Sequence, residues 1–257
     1  MISPISTLIG DVFALIYRGA PNYEAHLWPD ATLALSGDTG AYWLNTVVIG
    51  DGPHAEDRFR RAITTIRERS LPCWVMHDES LTARLAPIAH EAELQDGGTV
   101  PLMVYQPAPD SLHPTSGGEL QIKRAEDASD LRDANRVTAA AFETPVEVVD
   151  RVWTPMLLEM PGLDFFLARR GDTTISAVMT VRHGSVIGIW AMGTLPEYQH
   201  QGAGRQLLDA ALRHHLNLGA KTYYLAAFEA GKRLYDQTGF QTEAEIHLWI
   251  ASDGGSH

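Results

Sequence analysis

A short turn that contains two glycines carries the most specific chemistry in this sequence. It reads Gln-x-x-Gly-x-Gly from Gln199, with the glycines at Gly202 and Gly204. A strand-like apolar run at residues 186–195 precedes it, and a helix-like run at residues 205–218 follows it. Glycines let backbone N–H groups close on an anionic oxygen, and the positive end of a helix favours the same anion. Strand, turn and helix together predict a site for a pyrophosphate group.

A second motif follows about thirty residues later, where residues 234–240 read Leu-Tyr-Asp-Gln-Thr-Gly-Phe. The two motifs together resemble those of the GNAT acetyltransferase superfamily. The first is similar to the acetyl-CoA-binding pattern Val-x-Pro-x-x-(Arg/Gln)-x-x-Gly-x-(Gly/Ala), with Thr194 in place of the valine. The second is similar to the element Leu-Tyr-x-x-x-Gly-Phe. Two motifs in this order and spacing are far more specific than a single glycine turn.

The resemblance implies that acetyl-CoA is bound as a cosubstrate. Backbone N–H groups of the turn would hold its diphosphate, and a β-bulge at the end of the preceding strand would free main-chain groups for the thioester and the pantetheine. The implied cofactor-binding residues are Met192, Gly193, Thr194, Gln199, His200, Gln201, Gly202, Ala203, Gly204 and Arg205. Alternatives stay open for three of them: an exposed turn residue for Gln199, an irregularity without a ligand for Gly193, and a solvated helix surface for Arg205.

The resemblance also implies that Tyr235 is the general acid that protonates the leaving thiolate. A phenol with a pKa near 10 can donate to a thiolate whose conjugate acid has a pKa near 8.5. The alternative is a tyrosine packed between helix and strand with its hydroxyl satisfied. Two positions depart from the family pattern: Phe228 stands where Asn is common, and Gly231 where Ala is common.

The base that would deprotonate the amine is the least defined part of the site. An alkyl amine has a pKa near 10.4, so a base or a water relay is expected at neutral pH. Residues 187–191 contain no carboxylate. We therefore assign Glu229 as the candidate catalytic base, with Glu143 as a second candidate. The alternative for each is a solvated loop charge.

Composition restricts the partners and the compartment. The chain has 257 residues, 45% of them hydrophobic, and a formal net charge of −12. Such an acidic balance argues against a nucleic-acid partner. No segment approaches the roughly twenty apolar residues of a membrane span, so no membrane partner is expected. The single cysteine, Cys73, cannot form an intrachain disulfide and is expected to be buried and inert, which favours a soluble, cytoplasmic protein.

No metal site is expected from the sequence. His214 and His215 are adjacent, but the chain contains no His-Glu-x-x-His and no Cys-x-x-Cys pattern. These spacings are the ones that place metal ligands on a common face, so their absence predicts a protein without a metal cofactor.

Proline and glycine content divides the chain into a domain at residues 1–106, a linker at 107–118 and a catalytic domain at 119–252. The predicted class is α/β with a mixed sheet. The C-terminal domain is expected to have the acyl-CoA N-acyltransferase (GNAT) fold, in the order β-α-α-β-β-β-α-β-α-β. The N-terminal domain is expected to be a smaller, GNAT-like α/β unit that has lost its cofactor loop. An unrelated α/β cap is the alternative for the N-terminal part.

These features predict an acetyl-CoA-dependent N-acetyltransferase. Its acceptor would be a small-molecule amine or an amino terminus that attacks the thioester directly. The alternatives are a non-catalytic acyl-CoA sensor and a tandem-GNAT transferase similar to mycothiol synthase. The acceptor cannot be read from the sequence, and the oligomeric state stays open, with a homodimer as one option.

Overall fold

The computed structural model describes residues 5–107 and 120–252, so the predicted linker at 107–118 lies almost entirely outside the described residues. The described chain forms two compact units. The first comprises the residues up to Pro101 together with those from Ala244 onwards, and the second comprises Leu102–Glu243. Each unit is built around strands of a mixed sheet.

The helices and strands are, in chain order, α1 (Ile5–Ile16), β1 (Glu24–Trp28), β2 (Ala31–Leu35), β3 (Asn45–Ile49), α2 (Ala55–Glu68), β4 (Cys73–Asp78), α3 (Thr82–Glu91), β5 (Gln95–Tyr105), β6 (Leu120–Arg124), α4 (Ala128–Ala141), α5 (Val146–Val152), β7 (Leu163–Arg170), β8 (Thr173–His183), β9 (Val186–Thr194), α6 (Ala203–Asn217), β10 (Thr222–Ala226), α7 (Glu229–Thr238) and β11 (Gln241–Ala251). Strand β5 passes from the first unit into the second, and β11 passes from the second into the first.

In the first unit, β1, β2 and β3 pair antiparallel, and β3 pairs parallel with β4. The neighbour of β4 on its other side is β11, whose residues 246–251 pair antiparallel with residues 73–78. Apolar residues of α2 and α3 cover these strands and form one buried cluster with them. Helix α1 packs on β2 and β3.

The second unit repeats this order. Strands β6 to β9 pair antiparallel in succession, and β9 pairs parallel with β10. The antiparallel neighbour of β10 is the end of β5, residues 102–105. Helix α6 connects β9 to β10 as α2 connects β3 to β4. Each unit therefore contains a parallel strand pair connected by a helix. In each, the second strand of that pair has as its other neighbour an antiparallel strand that is distant in sequence.

Local sequence signals account for several element boundaries. The Asp127 carboxylate accepts hydrogen bonds from the backbone N–H groups of Ser129 (2.8 Å) and Asp130 (2.9 Å), and so caps α4. Helix α5 ends at Val152 and is followed by a 3₁₀ turn at Pro155–Glu159. Proline is tolerated at the start of such a turn but not inside a continuous α-helix.

The two compact units correct the predicted domain boundaries in two places. The prediction assigned residues 102–106 to the N-terminal domain and 244–252 to the C-terminal domain. The structure assigns each segment to the other unit. The reason is strand pairing, since β10 takes up residues 102–105 and β4 takes up residues 246–251. An alternating apolar pattern identifies a strand but does not identify its neighbour.

Two expectations from composition concern the interior of the protein. Cys73 is fully buried in β4, and burial raises the pKa of its thiol, so the prediction of a buried, unreactive cysteine is confirmed. Among the described residues, no helix is both long enough and apolar enough to cross a membrane.

Candidate active site

Helix α6 begins directly at the glycine turn, residues 199–205. Gly202 is its N-cap residue and has a φ of +82°, in the left-handed region that glycine adopts without strain. His200 also has a positive φ, +58°. The first N–H groups of an α-helix have no partner within the helix, so those of Ala203, Gly204 and Arg205 point towards the turn. An anion can be bound here by main-chain groups alone.

Gly204 lies where three elements of the second unit meet. A Cβ atom at this position would lie 3.3 Å from Thr194 Oγ1, 3.4 Å from Met192 Cε and 3.7 Å from Leu234 Cδ2. The absence of a side chain thus lets the start of α6 approach both the end of β9 and helix α7. The structure in this way brings Met192 and Thr194 together with the turn, as the prediction requires.

Side chains hold the main chain of the glycine turn in place. Gln199 Nε2 donates to the carbonyl of Thr194 (3.1 Å), and Gln201 Nε2 donates to the carbonyl of Glu197 (2.9 Å). Arg170, at the end of β7, donates from Nη1 to Gln201 Oε1 (2.9 Å). Gln199 is therefore a structural part of the turn as well as an exposed residue. The contribution of Arg170 could not be inferred, because nothing in the sequence places the end of β7 beside the turn.

The Arg205 guanidinium is engaged by neighbouring groups of the protein. Its Nε lies 3.0 Å from both carboxylate oxygens of Asp209, and its Nη1 donates to the carbonyl of Gln237 (3.1 Å). Gln237 belongs to the last turn of α7, whose carbonyls attract cations. The side chain therefore ties α6 to α7, and the backbone N–H is the part of Arg205 that faces the turn.

Strand β9 contains a bulge, one residue earlier than predicted. Ala191 and Met192 together lie opposite the single residue Val178 of β8. Ala191 has a φ of +46°, which is uncommon for a residue with a side chain. The sequence placed this irregularity at residues 192–194, but Gly193 and Thr194 lie in regular register with β8. The prediction favoured Gly193 because it is a glycine, and Ala191 carried no comparable signal.

Strands β9 and β10 separate beyond their first residues. The last pair in register joins Gly188 to Tyr224, whereas β9 continues to Thr194 and β10 to Ala226. Along the described length of both strands, no later residue of β9 pairs with β10. The gap leaves main-chain donors and acceptors of β9 without a partner strand. These groups can bind the amides of an extended ligand, which then takes the place of the missing strand.

Gly193 has a packing role against α4. A Cβ atom there would lie 2.5 Å from the Cβ of Ala141 and 3.5 Å from the carbonyl oxygen of Val137. The Gly193 carbonyl accepts a buried hydrogen bond from Ser176 Oγ (2.7 Å). These contacts fix the residue that follows the bulge, so glycine is required for the approach of α4.

We expect Gly193→Ala to lower the free energy of unfolding by about 1–3 kcal/mol, because the added methyl group overlaps Ala141. Urea denaturation measures the change. Where no such contact exists, Gly→Ala stabilises a protein because it restricts the unfolded chain. A loss of stability in this variant therefore indicates the overlap with Ala141. The double variant Gly193→Ala with Ala141→Gly should recover most of the loss. A single variant as stable as the parent would contradict this account.

Tyr235 lies on the buried face of α7 with 8% of its surface exposed. Its ring packs edge-on against Phe240, with centroids 5.8 Å apart. A Cβ atom at Gly231 would lie 2.9 Å from the ring. Glycine at this position, where the family commonly has alanine, therefore leaves room for Tyr235. The hydroxyl makes no hydrogen bond to any described residue. Burial raises the pKa of this phenol. The alternative of a packed tyrosine with a satisfied hydroxyl does not describe this geometry.

The two candidate bases are both exposed. Glu229 lies in the first turn of α7, directly after the N-cap residue Phe228. Glu143 follows the end of α4 and has a φ of +49°. Within the described parts of the chain, neither carboxylate is hydrogen-bonded to Tyr235. The structure therefore leaves both as candidates for the base.

An aromatic pair lines the point at which β9 and β10 separate. The rings of Trp190 and Tyr224 are nearly perpendicular, at 82°, with centroids 6.0 Å apart. The side chains of both residues cover Gly188, where a Cβ atom would collide with them. Trp190 thus occupies the edge of the gap.

A family model described as "Acetyltransferase (GNAT) domain" matches residues 161–242. This range contains the bulge, the glycine turn and Tyr235. Residues 161–242 therefore match the GNAT acetyltransferase family. The fold class predicted from the sequence is confirmed, since solved GNAT structures extend the likeness to nearly the whole chain.

Two such structures are similar to most of this chain, including parts of both units. A GCN5-related N-acetyltransferase from Kribbella flavida is 18% identical, with a TM-score of 0.68 over 99% of this chain and 98% of that one. A GCN5-related N-acetyltransferase from Sphaerobacter thermophilus is 16% identical, with a TM-score of 0.63 over 89% and 82%. A search of curated protein sequences finds no significant match. At these identities the likeness establishes the GNAT fold, and the chemistry has to be argued from the site.

Proposed function

We propose that the GNAT unit is an acetyl-CoA-dependent N-acetyltransferase that acts on a small-molecule amine or an amino terminus. One observation carries the proposal: the glycine turn, the bulge in β9 and helix α7 converge at Gly204, between Met192, Thr194 and Leu234. The turn supplies main-chain donors for the diphosphate. The gap between β9 and β10 suits the pantetheine, and α7 carries the hydroxyl of Tyr235.

The reaction divides among these groups as follows. The nitrogen of the neutral amine attacks the thioester carbonyl carbon, and a C–N bond forms. Main-chain N–H groups at the bulge, residues 191–192, stabilise the negative charge that develops on the carbonyl oxygen. The C–S bond then breaks, and the Tyr235 hydroxyl gives its proton to the departing sulfur. The nitrogen loses its extra proton to a base, so the products are an acetamide and free CoA thiol.

We assign the base to Glu229, directly or through a water molecule. Its carboxylate has no ion-pair partner among the described residues, so it is available to accept a proton. Its place in the first turn of α7 puts it on the same helix as Tyr235. Glu143, beyond the end of α4, is the second candidate.

The proposed N-terminal unit is a degenerate GNAT-like half without an acyl-CoA site. Its strands β3 and β4 stay in register to the last residue of β3, where Ile49 pairs with His77, so they leave no gap. The start of α2 is occupied by the protein itself. Arg84 binds the carboxylates of Asp51 and Glu56 there and also donates to the carbonyl of Gly52.

Acetyl-CoA should therefore bind with a stoichiometry of one per chain. Isothermal titration calorimetry of the full chain measures this number. Binding of a second equivalent would show that the first unit also holds a cofactor, and would contradict the role assigned to its closed strand pair.

One observation favours a second candidate, a GNAT protein that senses acyl-CoA without turnover. Phe228, 38% exposed, takes the position at which the family commonly has Asn, and it caps α7 without a side-chain hydrogen bond. A site that lacks this polar contact could bind acyl-CoA in a pose that does not support transfer.

Thiol release distinguishes the two functions. The full chain is incubated with acetyl-CoA and a panel of primary amines, including diamines and peptides with free amino termini, and free CoA thiol is measured with a chromogenic disulfide. A transferase releases thiol in proportion to acetylated product detected by mass spectrometry. A sensor shows a rise in melting temperature with acetyl-CoA and no release with any amine. No binding of acetyl-CoA at all would refute both functions.

A further inference from the structure

A cluster of possible metal ligands lies at the far end of α6 from the glycine turn. His214 and His215 occupy the last turn of α6, and Asp164 lies near the start of β7. One ligand atom from each of the three lies within 4.8 Å of the others. His214 follows Gly202 by twelve residues, which at about 1.5 Å per residue separates them by about 18 Å along the helix. The cluster is thus distinct from the proposed acyl-CoA site.

The hydrogen bonds of His215 define its protonation state. Arg182 Nη2 lies 3.2 Å from Nδ1, and a guanidinium can only donate, so Nδ1 is the unprotonated nitrogen. Nε2 then carries the hydrogen and donates to Thr180 Oγ1 (2.8 Å). Thr180 fixes the ring through Nε2, as an outer-shell partner of a metal-binding histidine does, while the lone pair of Nδ1 accepts from Arg182 and is open to a metal ion only when that guanidinium moves away. A positive charge, that of Arg182, already faces that lone pair.

His214 adds a nitrogen that the protein does not satisfy. Its Nε2 is buried and has no hydrogen-bond partner among the described residues. The ring is held between Phe166 and His215, whose centroids lie 5.2 Å and 5.1 Å away. Buried nitrogens are usually satisfied by a protein group, a water molecule or an ion, so this one is available to a ligand. Asp164 supplies the third group, with one carboxylate oxygen, Oδ1, paired to Arg124 at 3.1 Å.

We propose that Asp164, His214 and His215 bind a divalent transition-metal ion, with Zn²⁺ as the best match to two imidazoles and one carboxylate. Ligand atoms about 2.0–2.2 Å from Zn²⁺ must lie closer together than 4.8 Å, so small side-chain rotations accompany binding. Arg182 gives up Nδ1 of His215 and keeps its other hydrogen bond, to the carbonyl of Gly184 (3.0 Å). The ion joins the end of α6 to β7, and water completes its coordination.

The sequence could not indicate this site. Asp164 is remote from the two histidines along the chain, and adjacent histidines are not a metal-binding spacing. The antiparallel course of β7 and β8 and the packing of α6 against them bring the three together. The expectation of a protein without a metal rested on local patterns and did not anticipate this juxtaposition.

The test titrates the metal-free full chain with ZnCl₂ by calorimetry and follows coordination with Co²⁺ absorption. We expect one equivalent to bind in the parent and at least about tenfold weaker binding in His214→Ala and Asp164→Asn. Arg182→Gln should bind more tightly, because its guanidinium no longer competes for His215. His54→Ala, an exposed histidine of the other unit, is the matched control and should bind as the parent does.

Circular dichroism establishes that each variant is folded, and Asp164→Asn preserves the side-chain shape should His214→Ala fail to fold. Equal affinity for Zn²⁺ in the parent and in both ligand variants would overturn the proposal. So would the absence of any binding to the parent. A tetrahedral Co²⁺ spectrum that is lost in Asp164→Asn would support it independently of affinity.

Discussion

Tyr235→Phe is expected to lower kcat about 10²-fold, with little change in the Kd for acetyl-CoA or in the melting temperature. The substitution removes one oxygen atom and keeps the ring that packs against Phe240. Because the hydroxyl makes no hydrogen bond to any described residue, its loss leaves no buried group unsatisfied. Stopped-time thiol release gives kcat, and calorimetry gives the affinity.

Tyr223→Phe is the matched control for this experiment. The Tyr223 hydroxyl is buried and donates to the carbonyl of Leu212 (2.6 Å), so its removal should lower stability while kcat is retained. For Tyr235→Phe we expect the reverse, a lower kcat with stability retained. Unchanged turnover in Tyr235→Phe would remove this residue from the chemistry and leave it a packing role.

The pH profile offers a second check on Tyr235. Burial raises the pKa of its phenol above the ordinary value of 10.0, so the acid form persists up to and beyond that pH. The parent should therefore show no fall in kcat from loss of this acid below about pH 10. A decline that sets in near pH 8 and disappears in Tyr235→Phe would mean that the phenol titrates far lower than its surroundings indicate.

Gly202→Val is expected to weaken acetyl-CoA binding at least about tenfold, equivalent to about 1.4 kcal/mol. A β-branched residue cannot easily adopt the φ of +82° found at this N-cap position. The turn must then change its course, and the N–H groups of Ala203, Gly204 and Arg205 no longer converge on the proposed diphosphate site. Calorimetry with acetyl-CoA measures the loss.

Gly184→Val is the control that distinguishes the effect of backbone strain on stability from the effect of a changed glycine turn on acetyl-CoA binding. Gly184 also has a positive φ, +63°, and has no atoms near the position of a Cβ. It lies in the turn between β8 and β9, at the other end of β9 from the glycine turn. Both variants should lose stability, and only Gly202→Val should lose affinity. Equal affinity of the two variants would mean that the glycine turn does not hold the cofactor.

Much of the second unit could be predicted from sequence because its signals are local. The glycine turn, the capping by Asp127 and the end of α7 at Gly239 each depend on residues within a few positions of one another. The first strands of the chain gave weaker signals. Strand β2 is five residues long and wholly buried, so it has no alternating pattern, and β1 has no buried position.

The features that sequence could not supply are those that depend on a partner from elsewhere in the chain. Ala191 takes the bulge because β8 fixes the register on either side of it, and Arg170 reaches the glycine turn from β7. The catalytic base could not be predicted for a different reason. A carboxylate can accept the proton from several places in a site, directly or through a water molecule. No sequence spacing therefore distinguishes Glu229 or Glu143 from a solvated surface charge.

The pairing of β11 with β4 has a consequence for biosynthesis. The strand that lies beside β4 is synthesised after the whole second unit, so the first unit cannot complete this strand pair before residues 246–251 have been made. The second unit depends instead on residues 102–105, which are already available when its own strands emerge. The second unit should therefore mature first, although most of it is encoded later, and a nascent chain that has not reached residue 246 would present the edge of β4 to solvent.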